Sequence, residues 1–554
     1  MKTKERRWLM GKLKKNSFLE GAFIATLCII ISKILGILYV IPFFKIIGEQ
    51  GGTLYGYAYN IYNIFLTISS AGIPLAISKL TSEYNTLKEN DKKVRMYHLA
   101  TKIILVFSVV SFLICFIFAP QLAKMILGDL QGGNSLKDVS FVIRLISFAL
   151  LVIPMLSIER GYLQGHRYIK EPSISQVIEQ FARILIILIG SSLCVYIFKL
   201  PIKYAVGISV FAACIGGIIT YAYLHFVVKR NKHQIGLDLT PGRNKNADRE
   251  IIKKIITYSI PFIIINLANT MYNTTDMILI IRTLPKLGYS VVNTEFISSV
   301  FTTWGIKFNT ILLSVSTGLV ISLIPNIVKD YTEKNMQSVN ANFNKCLKII
   351  LLIIAPLAIF MSGMANSMWN IFYGYNRLGP LVIKYTILIT ILDCLYAIVN
   401  SLLQSLDKRK LIYTNVILGV SINLILDIPL MYLFNKLNLP AFYGAITATL
   451  IGLLISNGMS IISLNREMHF SYRETIKTIP RFAISAVILV IMLKVFNLIL
   501  PVTSTNRIIQ LFNLAISGIT CAIVYLIINY KNIKDIIPEK IINKIIKKKK
   551  DNLD

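Results

Sequence analysis

An all-α, polytopic membrane fold is what this sequence predicts, and three observations predict it. Of the 554 residues 55% are hydrophobic, and the mean hydropathy is +0.64. A soluble domain of this size cannot bury that much apolar surface. Apolar runs of about 20 residues, long enough to cross a bilayer as helices, recur along the whole chain. The connections between them alternate between strongly basic and nearly free of Lys and Arg, the pattern left when cations are retained on the cytoplasmic side.

The apolar lengths give about 14 spanning helices. They cover 18–47, 54–83, 97–127, 137–164, 173–198, 203–228, 254–283, 297–329, 344–373, 379–405, 411–434, 441–464, 478–500 and 507–530. With the N-terminus inside, the inner connections hold "KENDKKVR", "KRNKHQ" and "DKRK", and the tail holds "KIIKKKK". Both termini are therefore expected in the cytoplasm. Residues 1–17 read as a basic leader, since the apolar run behind them is too long for a signal-peptide core. Residues 531–554 read either as a basic amphipathic helix on the inner leaflet or as a solvated tail.

The net charge of +32 and the pI near 9.8 would suggest nucleic acid in a soluble protein. Here the cations sit in cytoplasmic loops facing anionic lipid, so membrane lipid and not nucleic acid is the expected partner. Seven scattered cysteines and five histidines show no disulfide or metal spacing. There is no Asp-x-Asp, no P-loop and no Ser/His/Asp constellation, and the outer loops are too short to house one. The chain is expected to be a transporter and not an enzyme, driven by ion gradients or membrane potential.

Two pairs of similar stretches hint at a repeat. "SSAGIPLAIS" around Gly72 resembles "VSTGLVISLIP" around Gly318, and "RGYLQGHRYIK" around Gln164 resembles "NSLLQSLDKRK" around Gln404. The similar offsets suggest two parallel six-helix halves, 18–228 and 254–464, joined by a linker at 229–253 and followed by two extra helices at 478–530.

Ionisable residues inside spans cost about 2.5–3.5 kcal/mol each at a helix centre. Those that occur are therefore informative. Lys33 lies near the middle of the first span, Lys79 near the inner end of the second and Lys307 in the outer third of the eighth. Lys33 is too deep to reach an interface easily, which favours a functional role; Lys79 can either snorkel or line a cavity. Glu179 and Arg183, four residues apart, are spaced for an ion pair. Asp276 lies deep in the seventh span, and Asn423 and Asp427 share one face of the eleventh. These oxygens, with the threonines of "GAITATLIG", suit either a hard monovalent cation or a hydrogen-bonded buried carboxylate. In the second span "SSAGIPLAISKLTSEY" places Gly72 and Pro74 where a bend is expected.

The stretches "SKILGILYVIPF" (32–43), "GGTLYGYAYNIYNIFLTISSAGIPLAISKLTSEY" (51–84) and "RGYLQGHRYIKEPSISQVIEQFARI" (160–184) resemble the multidrug/oligosaccharidyl-lipid/polysaccharide (MOP) exporter superfamily. Within it they are most similar to the MurJ-like lipid II flippases and sporulation-type polysaccharide exporters of Gram-positive bacteria. The resemblance implies two six-helix lobes around a central cavity, with the last two helices forming a groove for a polyprenyl tail. It implies a monomer in the bacterial cell membrane that moves an undecaprenyl-pyrophosphate-linked glycan, lipid II, to the outer leaflet. It implies that Lys33 holds a pyrophosphate-binding position, with Lys79 and Lys307 near two others. Tyr39 stands at the family's second basic position of the first helix, and Leu66 at the basic position of the second. The resemblance further implies a sodium site from Asp276, Asn423, Asp427 and Thr449, with no other cofactor. Export of another lipid-linked oligosaccharide (capsule, spore or teichoic type) is the alternative cargo. Cation-coupled drug efflux fits less well, because the first half carries lysines where acids are expected.

Overall fold

A computed structural model describes residue 13 and residues 18–534 of the chain, apart from 71, 129–131, 239–244 and 502–503. Nearly all of the predicted leader and the tail from 535 onward lie outside the described residues. The described residues contain helix and no strand, as the apolar periodicity predicts. Each predicted span falls on one helix or on a run of two to four consecutive helical segments. Among the described residues twelve helices are long and apolar enough to cross a membrane, and Leu27–Leu38 forms a shorter apolar one. The chain is a multi-pass membrane protein by this architecture. It divides into two compact units, residues 1–303 and 304–554. The division falls in a π-helical turn at Val300–Trp304.

The first unit contains α1 (Phe18–Leu38), α2 (Val40–Ser70), α3 (Ile73–Thr86), α4 (Asn90–Ile117), α5 (Ala119–Leu127), α6 (Leu136–Ser147), α7 (Ala149–Gly165), α8 (Lys170–Ser192), α9 (Ile202–Arg230), α10 (Lys232–Ile235), α11 (Lys245–Thr283) and α12 (Val291–Ser299). The expected bend in the second span is a full break. Gly72 has φ +78°, a left-handed conformation that L side chains resist, and Pro74 opens the next helix where its missing N–H costs nothing. A Cβ at Gly72 would lie 2.6 Å from Phe262 Cβ. From that break α3 buries Ile73, Ile77, Leu80 and Tyr84, one stripe at helical spacing, against Leu156, Tyr162 and Leu163 of α7. Arg95 ties α4 to α11 through Asp248 at 3.2 Å and bonds Asp91 on its own helix. In the connection after α10, His233 Nδ1 donates to Asp238 at 2.7 Å and holds that carboxyl below its ordinary range.

The second unit contains α13 (Ile306–Thr332), α14 (Met336–Ile349), α15 (Ala355–Gly363), α16 (Ala365–Tyr373), α17 (Leu378–Ser405), α18 (Arg409–Lys436), α19 (Phe442–Met468), α20 (Arg473–Ile476), α21 (Ile479–Ile499) and α22 (Arg507–Lys534). Polar groups inside it bond to backbone across helices. Ser316 donates to the Cys394 carbonyl at 3.1 Å and Asn457 Nδ2 to the Leu392 carbonyl at 3.1 Å. In lipid such bonds replace the water that is missing. α21 and α22 join the unit through Met364, Leu489, Leu493, Cys521 and Tyr525, and the Tyr525 hydroxyl donates to the Leu352 carbonyl at 3.1 Å. Their other faces are apolar and open, with Leu498 at 86% exposure and Ile527 at 71%. Those faces suit hydrocarbon and not water.

Candidate functional site

The stripe that buries α3 also decides where Lys79 points. Residues 73, 77, 80 and 84 face α7, so Ser78, Lys79, Ser82 and Glu83 face the other way. They line a cavity of about 580 Å³ together with Gln164 and Arg167. The Lys79 ammonium stands 4.0 Å from the centroid of the Tyr258 ring, a cation–π contact. Glu83 pairs with Lys254 at 3.3 Å. The cavity therefore keeps two cations, Lys79 and Arg167, among hydroxyl and amide groups. Such a lining accepts an anion with further oxygen acceptors.

Lys33 sits partly buried on α1. Six residues on, Tyr39 is buried, its hydroxyl 3.4 Å from that of Tyr55. Tyr55 packs against Tyr59 with ring centroids 4.5 Å apart and Tyr59 meets Tyr62 edge-on at 5.9 Å, so α2 carries a band of tyrosines at helical spacing. Arg183 of α8 faces this band and hydrogen-bonds Gln180. The spacing of Glu179 and Arg183 suggested that they pair, but the structure gives Glu179 to Arg160 of α7 at 2.8 Å. Arg160 Nε also donates to Ser175 at 2.9 Å. A fork anchored on two groups of α8 is held more firmly than a flexible i, i+4 contact, which frees Arg183 for the tyrosines. Neighbouring Glu159 is 2% exposed and accepts from the Tyr97 hydroxyl at 3.0 Å, with His225 Nδ1 at 3.4 Å.

A carboxylate clasp was not foreseen. Glu295 of α12 is 2% exposed. Its Oε1 accepts from the Asn134 backbone N–H at 3.0 Å and from the Tyr57 hydroxyl at 3.3 Å, and its Oε2 from Asn134 Nδ2 at 3.0 Å. Asn134 Nδ2 also reaches the Gln50 carbonyl at 3.3 Å, and Thr53 the Glu295 carbonyl at 3.4 Å. A Cβ at Gly133 would lie 2.5 Å from the Glu295 carboxyl carbon, so only glycine lets this turn close on the acid. In the sequence "GGN" (132–134) marks a tight turn, but nothing in it points to an acid 161 residues away.

The predicted cation ligands fall in both units. Asp276 is buried on α11 in the first. In the second, Asn423 and Asp427 are fully buried on α18, and Asn423 Nδ2 donates to Thr449 Oγ1 of α19 at 3.1 Å. Carboxylate, amide and hydroxyl oxygens together fit a hard cation, so this donor set is compatible with sodium. Among the described residues no group of three or more His, Cys, Asp and Glu side chains gathers as a transition-metal site would require. Lys307 is partly buried on the first turn of α13.

Residues 18–315 match the family model described as "Polysaccharide biosynthesis protein". The Bacillus subtilis (strain 168) protein "Lipid II flippase MurJ" is 30% identical over 481 residues, 85% of this chain and 87% of that one. "Stage V sporulation protein B" of the same organism is 22% identical over 514 residues, 88% of this chain and 97% of that one. Among solved structures, "Lipid II flippase MurJ, inward closed conformation" superposes with a TM-score of 0.63 at 14% identity, covering 92% of this chain and all of that one. An inward-facing multidrug resistance MATE family transporter of the MOP superfamily superposes at 0.61 and 12% identity, covering 80% and 98%. At such identities the superpositions speak for the fold.

Proposed function

We propose that this chain, which belongs to the polysaccharide biosynthesis protein family and through it to the MOP exporter superfamily, is a flippase for lipid II. It carries the undecaprenyl-pyrophosphate-linked peptidoglycan precursor from the inner to the outer leaflet of the bacterial cell membrane, with no covalent chemistry. The observation that carries this reading is the match to a lipid II flippase along nearly the whole of both chains. The half-buried Lys33 and Lys307 and the cavity-lining Lys79 and Arg167 support it, because a pyrophosphate is held by charge-assisted donors. Lys33 is the central contact for the pyrophosphate, Lys79 and Arg167 line its cytoplasmic approach, and Lys307 serves the same anion from α13. Tyr39 and its neighbours offer hydroxyls to the glycan. α21 and α22, with their open apolar faces, take the polyprenyl tail.

Outward movement requires the Glu295 clasp to open and re-form each cycle. Its several hydrogen bonds, each worth about 0.5–1.5 kcal/mol net and more where charged, set a barrier that substrate binding must offset. Asn423, Asp427 and Thr449 hold a sodium ion as a structural or coupling cation. Both termini face the cytoplasm, and the chain acts as a monomer.

The test is replacement in a bacterium whose own lipid II flippase is shut off. The intact chain restores growth and outer-leaflet lipid II, and Lys33→Ala at equal membrane level does not. Failure of the intact chain at normal membrane level rejects lipid II as the cargo and points to another undecaprenyl-linked oligosaccharide, as the sporulation relative suggests.

A further inference from the structure

A pocket of about 320 Å³ opens in the second unit where α16 ends and α17 begins. It is built from "MANSMWNIFYGYNRLGP" (364–380), a stretch the flippase reading does not use. Asn366 and Asn370 stand one helical turn apart on α16 and both line it. Asn370 is 4% exposed. Its Nδ2 donates to the Ser504 carbonyl at 2.5 Å, which fixes the amide. Its Oδ1 is buried, and among the described residues no donor reaches it. A buried carbonyl oxygen without a donor is costly. A donor on a ligand in this pocket removes that cost.

The rest of the pocket is rigid below and adaptable above. Trp369 is buried, its ring 4.4 Å from that of Tyr373. Asn376 Oδ1 accepts from the backbone N–H groups of Leu378 at 2.8 Å and Gly379 at 3.0 Å, fixing the first turn of α17. On the rim Tyr375 is 63% exposed, and Arg377 is exposed at the positive end of the 28-residue α17.

We propose that this pocket binds a glycan unit: a sugar ring that bears an acidic substituent. The ring's apolar face lies on Tyr375, a ring hydroxyl or acetamido N–H donates to Asn370 Oδ1, and the acid meets Arg377. The volume is at the lower end of the range of about 300–1,000 Å³ for small-molecule sites, room for a sugar ring and its substituents. A bare phosphate satisfies Arg377 but offers Tyr375 no apolar face. By the charge alternation of the loops this pocket lies on the outer side, where a translocated glycan arrives. The inference rests on the flippase reading for that orientation and for the cargo.

The test titrates the purified full-length chain in neutral detergent with three probes, by calorimetry and tryptophan fluorescence. The probes are the lipid-free disaccharide–pentapeptide of the peptidoglycan precursor, the neutral sugar chitobiose, and inorganic phosphate. The disaccharide–pentapeptide is expected to saturate, and about tenfold more tightly than chitobiose, since a charge-assisted bond is worth roughly that factor. Arg377→Ala removes this tenfold preference and leaves chitobiose binding unchanged. Asn370→Ala weakens both glycans, and Tyr375→Ala, at an exposed position, does the same if the buried variant fails to fold. The proposal is overturned if neither glycan saturates, if binding is the same in all variants, or if phosphate displaces the glycan at equal concentration, which would make the pocket a simple anion or lipid-headgroup seat. Lipid II movement by the same preparation in vesicles separates the two readings. Movement without glycan binding sinks the pocket alone. Pocket binding without movement sinks the cargo reading and leaves a glycan site.

Discussion

Gly133 and Glu295 show how much one position can carry. Gly133→Ala forces a methyl to within 2.5 Å of the Glu295 carboxyl group. Relief of such overpacking costs about 1–3 kcal/mol. The expected outcome is a lower unfolding temperature in detergent and slower transport. Glu295→Ala leaves the Asn134 amide and the Tyr57 hydroxyl without their acceptor, at about 1–3 kcal/mol for each group that stays buried. It loosens the clasp, read as faster hydrogen exchange at the Asn134 amide. The partners of Glu295 lie 161 and 238 residues away in sequence, which is why no local pattern reveals them. Lys79 was more legible, because the apolar stripe of its own helix fixes which way it points. Arg183 was not: i, i+4 spacing says that two residues share a face and says nothing of a competitor on another helix. Here that competitor is Arg160.

Between neighbouring elements, the break at Gly72 and the tie between α7 and α8 are the points where a single change propagates. Gly72→Ala must hold φ +78° with a Cβ pressed on Phe262 and the Ser259 carbonyl. Left-handed strain costs about 1–2 kcal/mol before the collision is counted. The variant is expected to accumulate poorly in the membrane and to melt at lower temperature. Glu179→Ala leaves Arg160, its side chain 16% exposed, with Ser175 and no opposite charge. Breaking a pair from one side costs about 3–5 kcal/mol when it is buried and at most about 1 kcal/mol when it is exposed; for this half-buried pair, thermal unfolding of Glu179→Ala against Glu179→Ala/Arg160→Leu measures where between them the loss falls. The double variant is expected to recover most of the loss, since no charge is then left alone. Element existence was legible throughout, because a bilayer demands about 20 apolar residues per crossing and leaves little freedom. Element ends were less so: the connection expected after residue 47 is a kink at Gly48 (φ +67°) inside α2, but further breaks at Tyr39 and Gly72 sit inside apolar runs.

Across the whole chain the charge distribution predicts orientation. With the seven cysteines replaced, Arg377→Cys is expected to react with an impermeant maleimide in intact cells, and Lys408→Cys only after permeabilisation. The opposite labelling would invert the topology and place the glycan pocket on the wrong side. Function at this scale was legible through the cations in membrane helices and through the motifs shared with a known superfamily, since charge in hydrocarbon survives only where it is used. The pocket at 364–380 was not, because its amides and aromatics look like ordinary helix-end chemistry until the fold gathers them. The central claim concerns movement of one lipid, and the most direct measurement is made on purified protein in liposomes loaded with labelled lipid II on the inner leaflet. The account predicts that the intact chain brings the lipid within reach of an external probe that modifies its headgroup, and that Lys33→Ala, folded to the same melting temperature, leaves it protected. Equal protection with intact protein and with empty liposomes would contradict it.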